Sequence, residues 1–201
     1  MILQVITRRL SDKLKHNLGS MNHHPKTYSR ANCFEYMTSS ALSRLSRASW
    51  SDALTALAFV VVVNIVGASP SLVFGADTGW IDQPWFFPPG IVFPIVWTTL
   101  FTLMGVALFL VWREGTESRE VRVALAAFVA QFVLNLAWTP VFFGLRRPDF
   151  GMVVIVLLVI TVAGTVAAFD RVDRRAAVLL VPYLLWVAFA GILNYAIYAG
   201  M

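Results

Sequence analysis

Three polar or aromatic side chains recur at helical spacing in the segment "QFVLNLAWTPVFFG". Gln131, Asn135 and Trp138 are offset by four and three residues, so a helix places them on one face. Two amides beside an indole could orient a bound ligand through hydrogen bonds. The same amides could instead join neighbouring helices, a contact worth about 0.6 kcal/mol inside a membrane. The spacing leaves both roles open.

A second such face occurs near the end of the chain. Trp186, Ala190 and Asn194 recur every four residues and place a large ring, a small side chain and an amide in line along a helix. The gap above Ala190 could hold a flat apolar ligand.

A third face carries Trp97, Phe101 and Gly105, again at intervals of four residues. Here the small residue is expected to serve packing, because glycine lets a neighbouring helix backbone approach closely inside a membrane.

Ionisable side chains are absent from the middle of every long apolar segment. Proton relays, paired carboxylates and metal centres need such residues. The only cysteine is Cys33, and the three histidines are His16, His23 and His24. These features weaken every enzymatic interpretation, and we expect no metal site and no required cofactor.

The elements that position these faces are long apolar segments. The chain has 201 residues, of which 58% are hydrophobic and 13% charged, with a mean hydropathy of +0.71. A membrane-spanning helix needs about 20 apolar residues, and unbroken runs of that length favour helices over strands. The predicted fold is an all-α membrane protein, a five-transmembrane-helix bundle within residues 51–201. Its predicted spans are residues 54–74, 91–112, 121–145, 150–169 and 176–199.

The first 50 residues are basic and contain polar clusters such as "GSMNHHPKTYSR", which is typical of a disordered leader. A surface-lying helix and a mitochondrial targeting segment are alternatives, and the true start could be Met37. A basic segment beside a membrane bundle interacts with anionic lipid or sets topology, so the expected partner is the lipid bilayer and not nucleic acid.

Arginines are concentrated in two predicted loops, at Arg113 and Arg119 and at Arg171, Arg174 and Arg175. Short basic loops stay on the cytoplasmic side. The prediction is a multi-pass protein with its N-terminus inside and its C-terminus outside. A prokaryotic plasma membrane is favoured, with a mitochondrial outer membrane as the alternative.

The loop before the second span is rich in proline and aromatic residues, "WIDQPWFFPPG". Proline removes amide donors and fixes φ, so part of this loop must be irregular. Trp80, Trp85, Pro88 and Pro89 are the predicted residues of a lid over a cavity. A kinked start of the second span and an interfacial tryptophan belt are the alternatives.

Three segments, "WFFPPGIVFPIVWTTLFTLMGVALFLVW", "QFVLNLAWTPVFFG" and "PYLLWVAFAGILNYAIY", together resemble the tryptophan-rich sensory protein or translocator protein family (TspO/MBR, peripheral-type benzodiazepine receptor). The resemblance covers about residues 55–199. It implies a five-helix bundle, often a homodimer, whose cavity binds porphyrins such as protoporphyrin IX, haem-like tetrapyrroles and synthetic benzodiazepine-like ligands.

The resemblance also assigns residues to that cavity. The positions that match its lining are Phe93, Trp97, Phe101, Asn135, Trp138, Trp186, Ala190 and Leu193. Gln131 and Asn194 complete the predicted ligand-binding set. Gln83 stands where many members carry a basic residue, and the last span ends without the Lys or Arg of the family's sterol pattern.

The favoured function is a membrane receptor, sensor or carrier that binds a porphyrin or haem as ligand and takes part in a stress or light response. One alternative is a light- or oxygen-dependent enzyme that degrades porphyrin, with Trp97 and Trp186 as its reactive side chains. A small-molecule or sterol transporter is the other, and the absence of an internal repeat disfavours active transport.

Overall fold

The computed structural model describes residues 50–200, and five α-helices account for most of that range. They are α1 (Trp50–Phe74), α2 (Val92–Trp112), α3 (Arg119–Thr139), α4 (Pro148–Asp170) and α5 (Arg174–Gly200). No strand occurs within residues 50–200, so the predicted all-α class is confirmed. The predicted leader, with the alternative start at Met37, lies outside the described residues except for Trp50.

Each of the five helices is long and apolar enough to cross a membrane, which confirms the predicted spans. Four of the helices begin two to four residues before the predicted apolar runs, because polar residues lie in their first turns, whereas α2 begins at Val92, one residue after its predicted run. In α3 the Ser118 side chain accepts a hydrogen bond from the Val121 amide at 3.1 Å, which satisfies a free N–H of the first turn. Pro148 begins α4, where its missing amide costs nothing.

The third span does not end as a regular α-helix. After Thr139 the chain continues as a π-helical turn over Pro140–Gly144, closed by a hydrogen bond of 2.8 Å from the Leu145 amide to the Pro140 carbonyl. Arg146 follows with φ of 52°, a left-handed conformation that reverses the chain direction. The third and fourth spans are therefore joined by a very short connection.

Helix packing follows chain order with two additions. Consecutive helices pack against one another, and α5 also packs against α2 and α3 against α1. The helices α1 and α2 approach closely, since a Cβ added at Gly105 would lie 2.6 Å from the Cα of Val60. The expected packing role of Gly105 is confirmed.

The outer surface of the bundle is apolar. Leu54, Ile65, Val129, Val153 and Ile160 are each more than half exposed. Apolar patches of this extent are rare on soluble monomers, whereas lipid solvates them and the helices satisfy their own backbone groups. The protein is an integral, multi-pass membrane protein; the orientation of its termini stays a prediction.

Candidate functional site

A cavity of about 630 Å³ opens among the helices at one end of the bundle. This end, called the lid end, carries residues 75–91 between α1 and α2, called the lid loop. All five helices, the π turn and the lid loop contribute to the cavity wall. The predicted residues that line it are Phe93, Trp97, Phe101, Asn135, Trp138, Trp186, Ala190, Leu193 and Asn194, with Pro88 and Pro89.

Three predicted residues do not line the cavity. Gln131 is 1% exposed and lies one helical turn from Asn135, away from the cavity. Trp80 packs on Phe142, with 5.6 Å between ring centroids. Trp85 is 95% exposed on the lid loop and meets Phe86 edge to face. Trp80 thus packs against a cluster of cavity-lining residues that includes Phe142 and does not itself line the cavity.

One wall is built from aromatic residues of α2 and α5. Trp97 stacks on Phe101 at 5.2 Å between centroids, and Phe93 meets Trp186 at 6.1 Å in an edge-to-face contact. These separations lie in the favourable range for aromatic pairs. Because the rings support one another, this wall presents a firm apolar surface.

Another part of the wall is anchored by Asn194. Its Oδ1 accepts a hydrogen bond of 3.4 Å from Trp138 Nε1, and its Nδ2 donates to the Pro148 carbonyl at 2.8 Å. Trp138 also stacks on Phe142 at 4.8 Å. Asn194 therefore joins α5 to α3 and α4 while it fixes the orientation of the Trp138 ring.

Two tryptophans of the cavity wall have an indole N–H without an acceptor in the described part of the chain. Trp97 and Trp186 both line it, and neither Nε1 donates a hydrogen bond within residues 50–200, in contrast to Trp80 and Trp138. Indole nitrogen is a donor only. Both side chains could donate to a carbonyl or carboxylate oxygen of a ligand.

The helix α1 contributes a wall that sequence reasoning missed. Asn64, Gly67, Ala68 and Ser71 line the cavity, at offsets of three, four and seven residues, which share one helix face. Gly67 makes room for a ring of the facing helix, since an added Cβ would lie 2.6 Å from Phe101 Cζ. This run of small and polar residues within an apolar span was the signal that could have revealed the face.

The lid loop is fastened at its first turn. The Trp80 indole donates to the Asp77 carbonyl at 2.9 Å, and the Asp77 carboxylate lies 3.9 Å from the Arg146 guanidinium. That guanidinium also lies 6.0 Å from the centre of the Trp80 ring, within cation–π range. Arg146 thus connects the lid loop to the end of the π turn.

The side chains that line the cavity are all uncharged. Charges occur just outside it, where Arg147 forms two hydrogen bonds to Asp149, at 2.9 and 2.6 Å. The hydrogen bond to Asp149 raises the pKa of Arg147. A ligand would therefore be recognised within the cavity by shape and by neutral hydrogen bonds.

The wall between α2 and α5 is thin. Pro88, Trp186 and Phe189 line both the cavity and an apolar groove on the outside of these helices. A single layer of side chains separates the cavity from the surface that faces lipid.

Comparison with known proteins gives consistent matches. A sequence model of the TspO/MBR family matches residues 55–199. The chain is similar to the tryptophan-rich protein TspO of Chlorobaculum tepidum, with 48% identity over 57% of this chain and 73% of that protein. It is also similar to the translocator protein of Sus scrofa (37% identity, 72% of this chain, 89% of that protein) and to the tryptophan-rich sensory protein of Cereibacter sphaeroides (41% identity, 57% and 70%).

Proposed function

Because the chain belongs to the TspO/MBR family, we propose that it is a membrane receptor or carrier that binds porphyrins and related tetrapyrroles in the cavity at the lid end. The names of its relatives, translocator protein and tryptophan-rich sensory protein, support a sensory or translocating role. Protoporphyrin IX or haem is the ligand class that the family resemblance implies.

The observation that carries the proposal is the pairing of an apolar aromatic wall with two free donors. Trp97 and Trp186 combine large ring surfaces with N–H groups that have no acceptor within residues 50–200. The cavity volume of about 630 Å³ lies within the range of about 300–1,000 Å³ for small-molecule sites. A flat, apolar ring system with peripheral oxygens matches both features.

The thin wall between α2 and α5 supports a ligand that arrives from the membrane. Trp186 and Phe189 separate the cavity from the outer groove, so a lipid-soluble ligand meets apolar side chains on both sides of that wall. Tetrapyrroles partition into membranes because of their large apolar rings.

The test is a titration of the detergent-purified protein with protoporphyrin IX in the dark, followed by tryptophan fluorescence quenching. We expect saturable binding in the wild type and an affinity about tenfold lower in Trp97→Phe/Trp186→Phe, because two hydrogen-bond donors are lost. Trp112→Phe is the matched control, because Trp112 does not line the cavity and packs on Phe59 at 5.4 Å.

Equal affinity in the double variant and the wild type would contradict a role for these indoles, and non-saturable quenching would contradict the cavity itself. Repeating the titration under light separates binding from chemistry. New absorbance bands that require Trp97 and Trp186 would change the proposal from a receptor to a porphyrin-degrading enzyme.

A further inference from the structure

Three buried polar side chains form a chain of hydrogen bonds between α3 and α5. Gln131, Asn135 and Tyr183 are 1%, 6% and 0% exposed. Asn135 Nδ2 donates to Tyr183 Oη at 3.1 Å, and the Tyr183 hydroxyl donates to Gln131 Oε1 at 3.0 Å. Asn135 alone of the three lines the cavity.

The single proton of the phenol couples the orientations of the two amides. Tyr183 has one O–H to donate, and Gln131 accepts it. Tyr183 must then accept from its other neighbour, so it takes an N–H of Asn135. Once its Nδ2 is engaged with Tyr183, Asn135 has its Oδ1 free.

The free atoms at the two ends of the chain lie in different surroundings. Gln131 Nε2 is the enclosed side-chain atom that has no hydrogen-bond partner within residues 50–200. Asn135 Oδ1 accepts no hydrogen bond in that range either, yet it is not enclosed in this way. Because Asn135 lines the cavity, the open space beside its Oδ1 is the cavity.

We propose that Gln131 is a positioning residue that acts through Tyr183 to turn the Asn135 carbonyl oxygen toward the cavity. The cavity then selects ligands that present an N–H or O–H donor to this oxygen. This inference deepens the proposed function, since it rests on a ligand occupying the same cavity. The cavity lining would then offer one acceptor, Asn135 Oδ1, beside the indole donors of Trp97 and Trp186.

Removal of the Gln131 amide should reverse the direction of the hydrogen bond between Tyr183 and Asn135. With leucine at this position, the Tyr183 proton has one remaining acceptor in the chain, Asn135 Oδ1. The Asn135 amide would then turn its N–H toward the cavity. Leucine has a similar volume and also removes the unpartnered buried N–H, whose burial is unfavourable, so the Gln131→Leu variant is expected to fold.

The experiment compares carbazole with dibenzofuran, two flat tricyclic probes that differ in having a ring N–H or a ring oxygen. Calorimetric titration of the full-length protein in detergent gives the affinity ratio of the two probes. We expect the wild type to favour carbazole by about fivefold, the worth of one ordinary hydrogen bond. Gln131→Leu should abolish or invert that preference.

A second variant separates this role from a general effect on packing. In Gln131→Leu/Tyr183→Phe no phenol proton remains to hold the Asn135 amide, which can then present either of its polar atoms. The preference for carbazole should return toward the wild-type ratio. A merely structural role of Gln131 would not predict recovery after a second buried substitution.

An unchanged ratio in Gln131→Leu, or equal binding of the two probes by the wild type, would overturn the inference. Failure of both probes to bind would also overturn it. The protoporphyrin IX titration distinguishes this failure from failure of the proposed function. Saturable protoporphyrin binding without the ratio change would reject only the role of Gln131, whereas the ratio change without protoporphyrin binding would reject the tetrapyrrole ligand alone.

Discussion

The same five helices pack closely at one end of the bundle and separate around a cavity at the other. Opposite the lid end, Ala107, Ala124 and Ala176 are completely buried, and small side chains let the helices approach closely. At the lid end, ring pairs such as Trp97–Phe101 and Trp138–Phe142, with centroids 5.2 and 4.8 Å apart, line the space that the helices leave open. Ring pairs such as Phe128–Phe169, with centroids 6.1 Å apart, also fill the core opposite the lid end. The bundle is therefore closely packed at that end and open at the lid end.

Polar groups show the same contrast. Opposite the lid end the buried side chains are almost entirely apolar, whereas the buried amides of Gln131, Asn135 and Asn194 lie at or near the cavity. Amides inside a membrane protein need partners, and Asn194 has them on two other helices. The structure of the lid end therefore depends on specific hydrogen bonds, while the structure of the opposite end depends on close packing.

The largest expected effect is at the close crossing of α1 and α2. Gly105→Ala places a Cβ 2.6 Å from the Val60 backbone, so α1 and α2 must separate. We expect a loss of about 1–3 kcal/mol in the free energy of unfolding, as for other overpacked sites. Thermal unfolding in detergent measures it, with Gly164→Ala as control because nothing lies within 4 Å of that position. Equal unfolding temperatures for the two variants would contradict the close crossing.

A large residue in the cavity should weaken ligand binding and leave the stability of the protein almost unaffected. Ala190 lines the cavity, and Ala190→Trp would fill space that the ligand needs. We expect protoporphyrin IX affinity to fall about tenfold, equivalent to about 1.4 kcal/mol, with the unfolding temperature unchanged. Ala188→Trp is the matched control, since Ala188 is exposed on the same helix. Undiminished affinity in Ala190→Trp would place the ligand elsewhere.

The smallest expected effect is at the lid loop. Asp77→Asn removes the carboxylate that lies 3.9 Å from Arg146. Since exposed ion pairs stabilise little, we expect an unchanged unfolding temperature and dissociation of protoporphyrin IX that is about twofold faster at low salt. Stopped-flow dissociation measures it, and the difference should disappear at about 1 M salt, where screening acts within about 3 Å.

Asp82→Asn provides the control for that experiment, because it makes the same charge change in the same loop without removing an ion pair of the described residues. Equally fast dissociation from both variants would show that net charge, and not the contact with Arg146, controls the lid loop.

Much of this architecture could be predicted from local sequence patterns. Apolar runs of about 20 residues require helices in lipid, which is why the five spans were predicted. Offsets of four residues define a helix face, which is why Trp186, Ala190 and Asn194 lie together at the cavity. The face at Asn64 and Ser71 obeyed the same rule but was missed, because its small residues are common in any membrane helix.

Other features could not be read from spacing. Gln131 and Asn135 share a face, yet they differ by one helical turn, about 6 Å along the axis, and only Asn135 lines the cavity. In the lid loop, where no helical period constrains side chains, Trp80 packs on Phe142 while Trp85 points outward. Periodicity gives the direction of a side chain around a helix axis. It does not show how far along that axis the cavity extends or which residues the side chain contacts.

By itself, the sequence determined that lipid surrounds the helices, how many helices there are and which side of several helices turns inward. These properties depend on local composition and on the helical repeat. The tertiary structure alone decided where the helices separate into a cavity, which amides bond to one another and which tryptophans keep a free N–H. Those outcomes depend on the sizes and hydrogen-bonding groups of residues that are brought together from different helices, such as Asn135 and Tyr183, and no segment contains that information alone.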